Sequence, residues 1–203
     1  MEHDIIVIGA SAGGVSALKT LVAGLPGDLK ASLFIVMHIS ATYSSMLPEI
    51  LSRSGPLPVL HATEGMMIEQ ETIYIAPPNH HLLLEQGSVH LGTGPKECYV
   101  RPAADVLFRS AASGYGSRVV GAVLTGMGHD GTNGLQAVKQ HGGITVVQDP
   151  TEAACSSMPQ SALEHVEIDY TAPLVSIASL LIRLVEPSGC NATLQHNPNN
   201  RNT

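Results

Sequence analysis

Three features of the sequence predict an α/β fold: a doubly wound, mostly parallel sheet with a short antiparallel hairpin, in a single domain. Short aliphatic runs alternate with segments of helical periodicity, as crossover connections between parallel strands require. Residues 5–8, 32–37 and 119–124 are apolar without alternation, the pattern of strands covered on both faces. The 203 residues include 20 glycines but only 3% aromatics, which favours tight turns around an aliphatic core.

The first strand, residues 5–8, is β-branched throughout and stops at Gly9-Ala10-Ser11-Ala12-Gly13-Gly14. Val15, Leu18, Leu21, Val22 and Leu25 then recur at helical spacing until Pro26-Gly27-Asp28 ends the pattern. A second strand over residues 32–37 ends at His38, a helix follows over 45–54, and residues 58–61 make a third strand. Residues 72–76 form a strand closed by Pro77-Pro78-Asn79, and 81–85 pairs with 88–91 through Gln86-Gly87 as a hairpin. Residues 92–100 are polar and turn-rich, an exposed loop, and 102–112 is a helix with Pro102 at its start. The run 119–124 breaks at Thr125-Gly126-Met127-Gly128-His129-Asp130-Gly131, a second strand-to-glycine corner, and a helix continues to Gln140. Strand 144–147, a short helix 159–165, a weak strand 168–170 and a last helix 174–185 complete the domain. Residues 187–203 lack periodicity and are expected to be a disordered tail, leaving residues 1–186 as the domain.

The net charge of -7 and only 10 Lys and Arg argue against nucleic acid as a partner. No apolar run approaches the ~18 residues of a membrane span, so membrane insertion is not expected and a cytoplasmic location is. Cys98, Cys155 and Cys190 are widely spaced, which indicates neither a disulfide framework nor a zinc site. Adjacent His80 and His81 point to opposite faces of a strand and chelate poorly, so no metal is expected.

Ligands of an open parallel sheet bind beyond the carboxyl ends of its strands. Three separate strands deliver Ser11, His38 and the turn bearing His129 and Asp130 to that rim. A hydroxyl, an imidazole and a carboxylate are the parts of a nucleophilic triad. Each also has a plainer reading: Ser11 as a turn serine, His38 as a core histidine, Asp130 as N-cap of the helix after it. A dinucleotide site is the rival use of the first corner. It fits poorly, because Ser11 replaces the middle glycine of G-x-G-x-x-G and the second strand ends in Met37-His38 without an acidic ribose ligand.

Several separated motifs together resemble the catalytic domain of the chemotaxis protein-glutamate methylesterases (CheB). They are Ile8-Gly9-Ala10-Ser11-Ala12-Gly13-Gly14, Met37-His38, Tyr74-Ile75-Ala76-Pro77-Pro78 with His81-Leu82, and Arg101-Pro102-Ala103-Ala104-Asp105-Val106-Leu107-Phe108. Leu124-Thr125-Gly126-Met127-Gly128-His129-Asp130-Gly131, Gln148-Asp149 and Met158-Pro159-Gln160-Ser161-Ala162 extend the likeness to residues 4–184. The resemblance implies a serine esterase that hydrolyses glutamate methyl esters on the cytoplasmic helices of methyl-accepting receptors and releases methanol. Some members of that family also deamidate receptor glutamines. Ser11 would be the nucleophile, His38 the general base and then acid, and Asp130 the residue that orients it, while His129 stands aside. The Met127 amide would contribute to the oxyanion hole, and the Ala12 amide is added because the residue after such a nucleophile is well placed to donate. His38 Nε2 is expected within roughly 3.5 Å of the Ser11 hydroxyl, with Asp130 on the other ring nitrogen.

No cofactor is implied, and the oligomeric state is not legible. Ala12 stands where the family often has Thr, and Ser156-Ser157 where glycine is common. Met1 lies three residues before the first strand, the expectation for a stand-alone form without a receiver domain. A catalytically silent receptor-binding or scaffold domain is the alternative. Residues 92–100 and 40–44 are the expected walls of the cleft.

Overall fold

The structure is a computed structural model that describes residues 3–38 and 45–186; the expected tail and the 40–44 wall lie outside the described residues. Seven strands form one sheet in the order β3-β4-β2-β1-β7-β8-β9, every neighbouring pair parallel. The strands are β1 (Ile5–Ala10), β2 (Ser32–Met37), β3 (Val59–His61), β4 (Ile73–Ile75), β7 (Val119–Val123), β8 (Ile144–Gln148) and β9 (Tyr170–Ala172). The hairpin strands β5 (His81–Glu85) and β6 (Ser88–Gly92) make a separate two-stranded antiparallel sheet. The weak strand expected at 168–170 is displaced by two residues, because β9 takes its register from β8, with Tyr170 opposite Val146. β4 inserts between β2 and β3, an order that the sequence does not disclose.

Every residue of β1, β2 and β7 is buried, as unbroken apolar runs require of strands covered on both faces. The pleat divides their side chains between two cores. On one face Ile6, Ile8, Leu33 and Ile35 meet Leu18, Leu21 and Val22 of helix α1 (Gly14–Ala23), with α2 (Leu47–Ser52) and α6 (Leu174–Val185) beside it. On the other, Val7, Val36, Val123 and Val147 meet Leu107 and Phe108 of α3 (Ala104–Tyr115), Leu135 of α4 (Thr132–Gln140) and Met158 of α5 (Ser157–His165). Each fully buried side chain of this size contributes about 1.5–3 kcal/mol, so the aliphatic core suffices with few aromatics. The hairpin rides on α3, where the Ser110 hydroxyl accepts the Leu84 amide at 3.0 Å.

The chain leaves β1 toward β2 on one side and reaches β7 on the other, so the winding reverses between β1 and β7. A cleft opens at such a point beyond the carboxyl ends. Helix α3 runs close to β1 there because Gly9 has no side chain: a Cβ on it would lie 2.7 Å from that of Ala104. Gly9 therefore serves helix packing, not the turn itself. At Gly13, which precedes α1 with φ +79°, the left-handed backbone is what turns the chain from strand into helix.

Candidate active site

The first corner is held from across the switch point. The Ser11 amide donates to the Thr125 carbonyl (3.0 Å), and the Gly14 amide donates to the Ser11 carbonyl (2.8 Å). In a trans peptide the C=O and the following N–H point in opposite directions. Fixing the Ser11 carbonyl against α1 thus turns the Ala12 N–H outward. The second corner obeys the same geometry. The Met158 amide, one of the donors that the start of α5 leaves without an intrahelical partner, binds the Gly126 carbonyl at 3.0 Å. That bond points the Met127 N–H away from α5. Among the described residues neither the Ala12 nor the Met127 amide has an acceptor, and both residues are exposed.

Thr125 joins these pieces. Its backbone N–H donates to Oε1 of buried Gln148 (2.9 Å). Its hydroxyl donates toward the Ala12 carbonyl (2.9 Å) and the Cys155 carbonyl (3.2 Å), and accepts the Cys155 amide at 2.8 Å. One threonine therefore ties the Ser11 turn, the Met127 turn and the segment before α5 together.

His38 lies one residue past the last paired position of β2, beside Ser11 at the end of β1, where Ala10 pairs with Met37. Its Nε2 is 2.7 Å from Oδ2 of Asp130, which arrives from the β7 turn. Both are sheltered, with side chains 12% and 2% exposed, so their mutual attraction is little screened. This reverses the ring expected from the sequence: Asp130 takes Nε2, leaving Nδ1 as the nitrogen available to a serine. The reason lies in the reach of Asp130, whose carboxylate is fixed by peptide donors from α3. Among the described residues the Ser11 hydroxyl makes no hydrogen bond, so the structure joins His38 to Asp130 but not to Ser11. Neighbouring strands lie ~4.8 Å apart, a gap that rotation of the Ser11 side chain can span.

Asp130 is not the N-cap of α4. Its Oδ2 also accepts the Ala104 amide (2.6 Å) and its Oδ1 the amides of Asp105 and Gly131 (3.0 Å each), so it caps α3. In return Asp105 Oδ1 accepts the amides of Gly131 (2.9 Å) and Gly134 (2.7 Å) and caps α4. The sequence reading missed Asp105, whose only local signal is an acid in the first turn of a helix. Burial, followed by the Asp130 charge, raises its pKa, against the opposing pull of the peptide donors. Cys98 approaches Asp105 Oδ2 at 3.8 Å. Its thiol is pushed up to about 11, by burial first and then by the carboxylates of Asp130 and Asp105, which keeps it protonated. Cys98, Asp105 and Asp130 offer ligand atoms within 4.8 Å of one another, but peptide N–H groups already occupy most of the carboxylate oxygens. His129 is exposed on the same turn, away from these bonds.

A sheet that reverses at β1 and β7, with an imidazole–carboxylate pair and two outward amides at its carboxyl rim, defines a doubly wound α/β domain with a chemically equipped cleft. The model of the CheB methylesterase family matches residues 6–181, and the chain belongs to that family. A putative protein-glutamate methylesterase/protein-glutamine glutaminase of Leptospira interrogans is 40% identical over 185 residues, covering 91% of this chain and 96% of the relative. A protein-glutamate methylesterase/protein-glutamine glutaminase of Methanosarcina acetivorans is 37% identical over 191 residues, which span 90% of this chain but 54% of that longer protein. The crystal structure of the Thermotoga maritima CheB methylesterase catalytic domain superposes with a TM-score of 0.86 at 34% identity, over 91% of this chain and 100% of that domain. Among the described residues no helix is long and apolar enough to cross a membrane.

Proposed function

We propose that this chain hydrolyses the methyl esters of glutamyl side chains on the cytoplasmic helices of methyl-accepting chemotaxis receptors, with Ser11 as nucleophile. The observation that carries this reading is the 2.7 Å bond between His38 and Asp130, sheltered beside the strand end that presents Ser11. His38 Nδ1 takes the Ser11 proton as the oxygen attacks the ester carbonyl, and Asp130 stabilises the resulting imidazolium. The amides of Met127 and Ala12 receive the tetrahedral oxyanion. The imidazolium then protonates the departing methoxide, releasing methanol and leaving an acyl-serine. Water, deprotonated by His38, attacks that acyl group, and the proton returns to the Ser11 oxygen as glutamate is freed. The same cycle on a glutamine side chain would release ammonia, in keeping with the double name of the relatives.

The test is methanol release from methylated receptor membranes in the cytoplasmic orientation, with Ser11→Ala as control. The variant is expected to lose about 10⁶-fold, the scale seen when a nucleophile is removed from such a site. Stoichiometric fluorophosphonate labelling of Ser11 that requires His38 separates an esterase from a silent scaffold. Equal methanol release by wild type and variant would overturn the proposal.

A further inference from the structure

Beside the His38–Asp130 pair the chain makes a two-residue turn that is built against its own sequence. Glu97 and Val100 exchange both backbone hydrogen bonds (3.2 and 2.9 Å), with Cys98 and Tyr99 between them at φ +47° and +67°. Positive φ at both central positions is the type I′ hairpin turn, which favours Asn-Gly or Gly-Gly. A cysteine and a tyrosine are strained there, and such strain persists only where the surroundings enforce it. They do enforce it. Arg109 Nη2 donates to both carboxylate oxygens of Glu97 at 2.6 and 2.7 Å, and Cys98 is anchored on Asp105. Arg101 clamps the preceding segment, reaching the Thr93 and Gly94 carbonyls and Asn79 at 2.7–3.1 Å. On this rigid base the Tyr99 side chain gains nothing from the fold, since the residue is 93% exposed. The Cys98 sulfur lies within 4.8 Å of an Asp130 oxygen, so the turn stands directly over the pair. With Lys96 and His129 it walls a cleft of about 590 Å3.

We infer that the strained turn at Cys98 and Tyr99 is a substrate-gripping element, with Tyr99 selecting for a protein segment that carries the glutamyl ester. This inference rests on the esterase reading above. An aromatic ring carried on a fixed backbone, with only two side-chain torsions left to freeze, offers contact area at low conformational cost, as anchors of protein interfaces do. Lys96 lines the same cleft and adds a positive charge to it. Small acylating agents have no such extension and need only Ser11 and its amides.

The experiment compares Tyr99→Ala and Tyr99→Gly with wild type in methanol release from methylated receptor membranes and in fluorophosphonate labelling of Ser11. Glycine suits the backbone of residue 99, so that variant is expected to melt at the wild-type temperature or higher. Both variants are expected to raise KM for receptor about tenfold, the loss of ~1.4 kcal/mol of binding, with kcat and labelling rate within twofold. If both keep the wild-type KM, or if labelling falls in parallel with receptor turnover, the gripping role is overturned. If wild type itself neither labels at Ser11 nor releases methanol, the esterase reading falls and the inference falls with it.

Discussion

Asp130 and Asp105 differ by 25 residues in sequence and by very little in surroundings. Both are 1% exposed, each accepts amides at the start of the other's helix, and both face Cys98. The difference is one bond. Asp130 keeps an oxygen on the imidazole of His38, whereas Asp105 turns its second oxygen to a thiol at 3.8 Å and to the Asn133 amide at 3.5 Å. The carboxylate that holds His38, and that the proposed mechanism uses, is thus also a helix cap, and its twin is a cap alone. Reciprocal capping locks the two helix starts together, so the imidazole meets a carboxylate whose position is already set before substrate arrives.

Exchanging each carboxylate for its amide separates the two roles. Asp130→Asn has the larger expected effect. Both oxygens of Asp130 accept peptide N–H groups, so wherever the NH2 is placed it faces donors, and His38 loses its anionic partner. Turnover of methylated receptor is expected to fall by about 10⁴-fold, the scale known for a triad aspartate exchanged for asparagine. The midpoint of chemical denaturation should fall as well. Wild-type turnover in Asp130→Asn would remove Asp130 from the mechanism and leave it equal to Asp105.

A second exchange sharpens the contrast at the other end of the same turn. Thr125 holds the two amides proposed for the oxyanion as Asp130 holds the imidazole, but only through peptides it fixes. Thr125→Val keeps the shape and loses the hydroxyl. Its kcat is expected to drop about 10- to 100-fold, less than the roughly 10²–10³ of losing an oxyanion donor outright, with KM nearly unchanged. Thr125→Ser should restore most of it. Equal kcat in the valine and serine variants would show that the hydroxyl positions nothing.

What was legible in the sequence follows the range of the forces involved. The strands and their glycine corners were readable because burial on both faces leaves a local mark, as in residues 5–8 and 119–124. Ser11, His38 and Asp130 could be gathered at one rim because parallel strands put their carboxyl ends there. The details that depend on distant contacts were not readable. Asp130 looked like the cap of the next helix but caps α3, whose first residue lies 26 positions earlier, and that placement gives it Nε2 of His38. Thr125, Gln148 and the Met158 amide act through partners 23 to 113 residues away. Tyr99 carried no signal beyond lying in a polar loop, since its left-handed backbone is imposed by Arg109 and Arg101.

The smallest expected effect is the one that tests the twin. In Asp105→Asn the amide oxygen can accept Gly131 and Gly134 as Oδ1 does now, while its NH2 faces the sulfur of Cys98 and the Asn133 amide, which turns its oxygen in place of the NH2 it now donates. The like charge beside Asp130 disappears while both caps survive. Receptor turnover is expected within about fivefold of wild type, the range of ~1 kcal/mol. Stability should respond to pH instead. Burial and the Asp130 charge raise the Asp105 pKa in the folded protein above its unfolded value, so the fold prefers the protonated acid. That contribution is complete below the unfolded value and is lost as pH rises through the folded one. The stability of wild type relative to Asp105→Asn, from denaturation midpoints, should therefore decline as pH rises above about 4 and then level off. A difference that is flat over this range, or that grows with pH, would mean that the ionised Asp105 is welcome in the fold and that the two carboxylates are not set against each other.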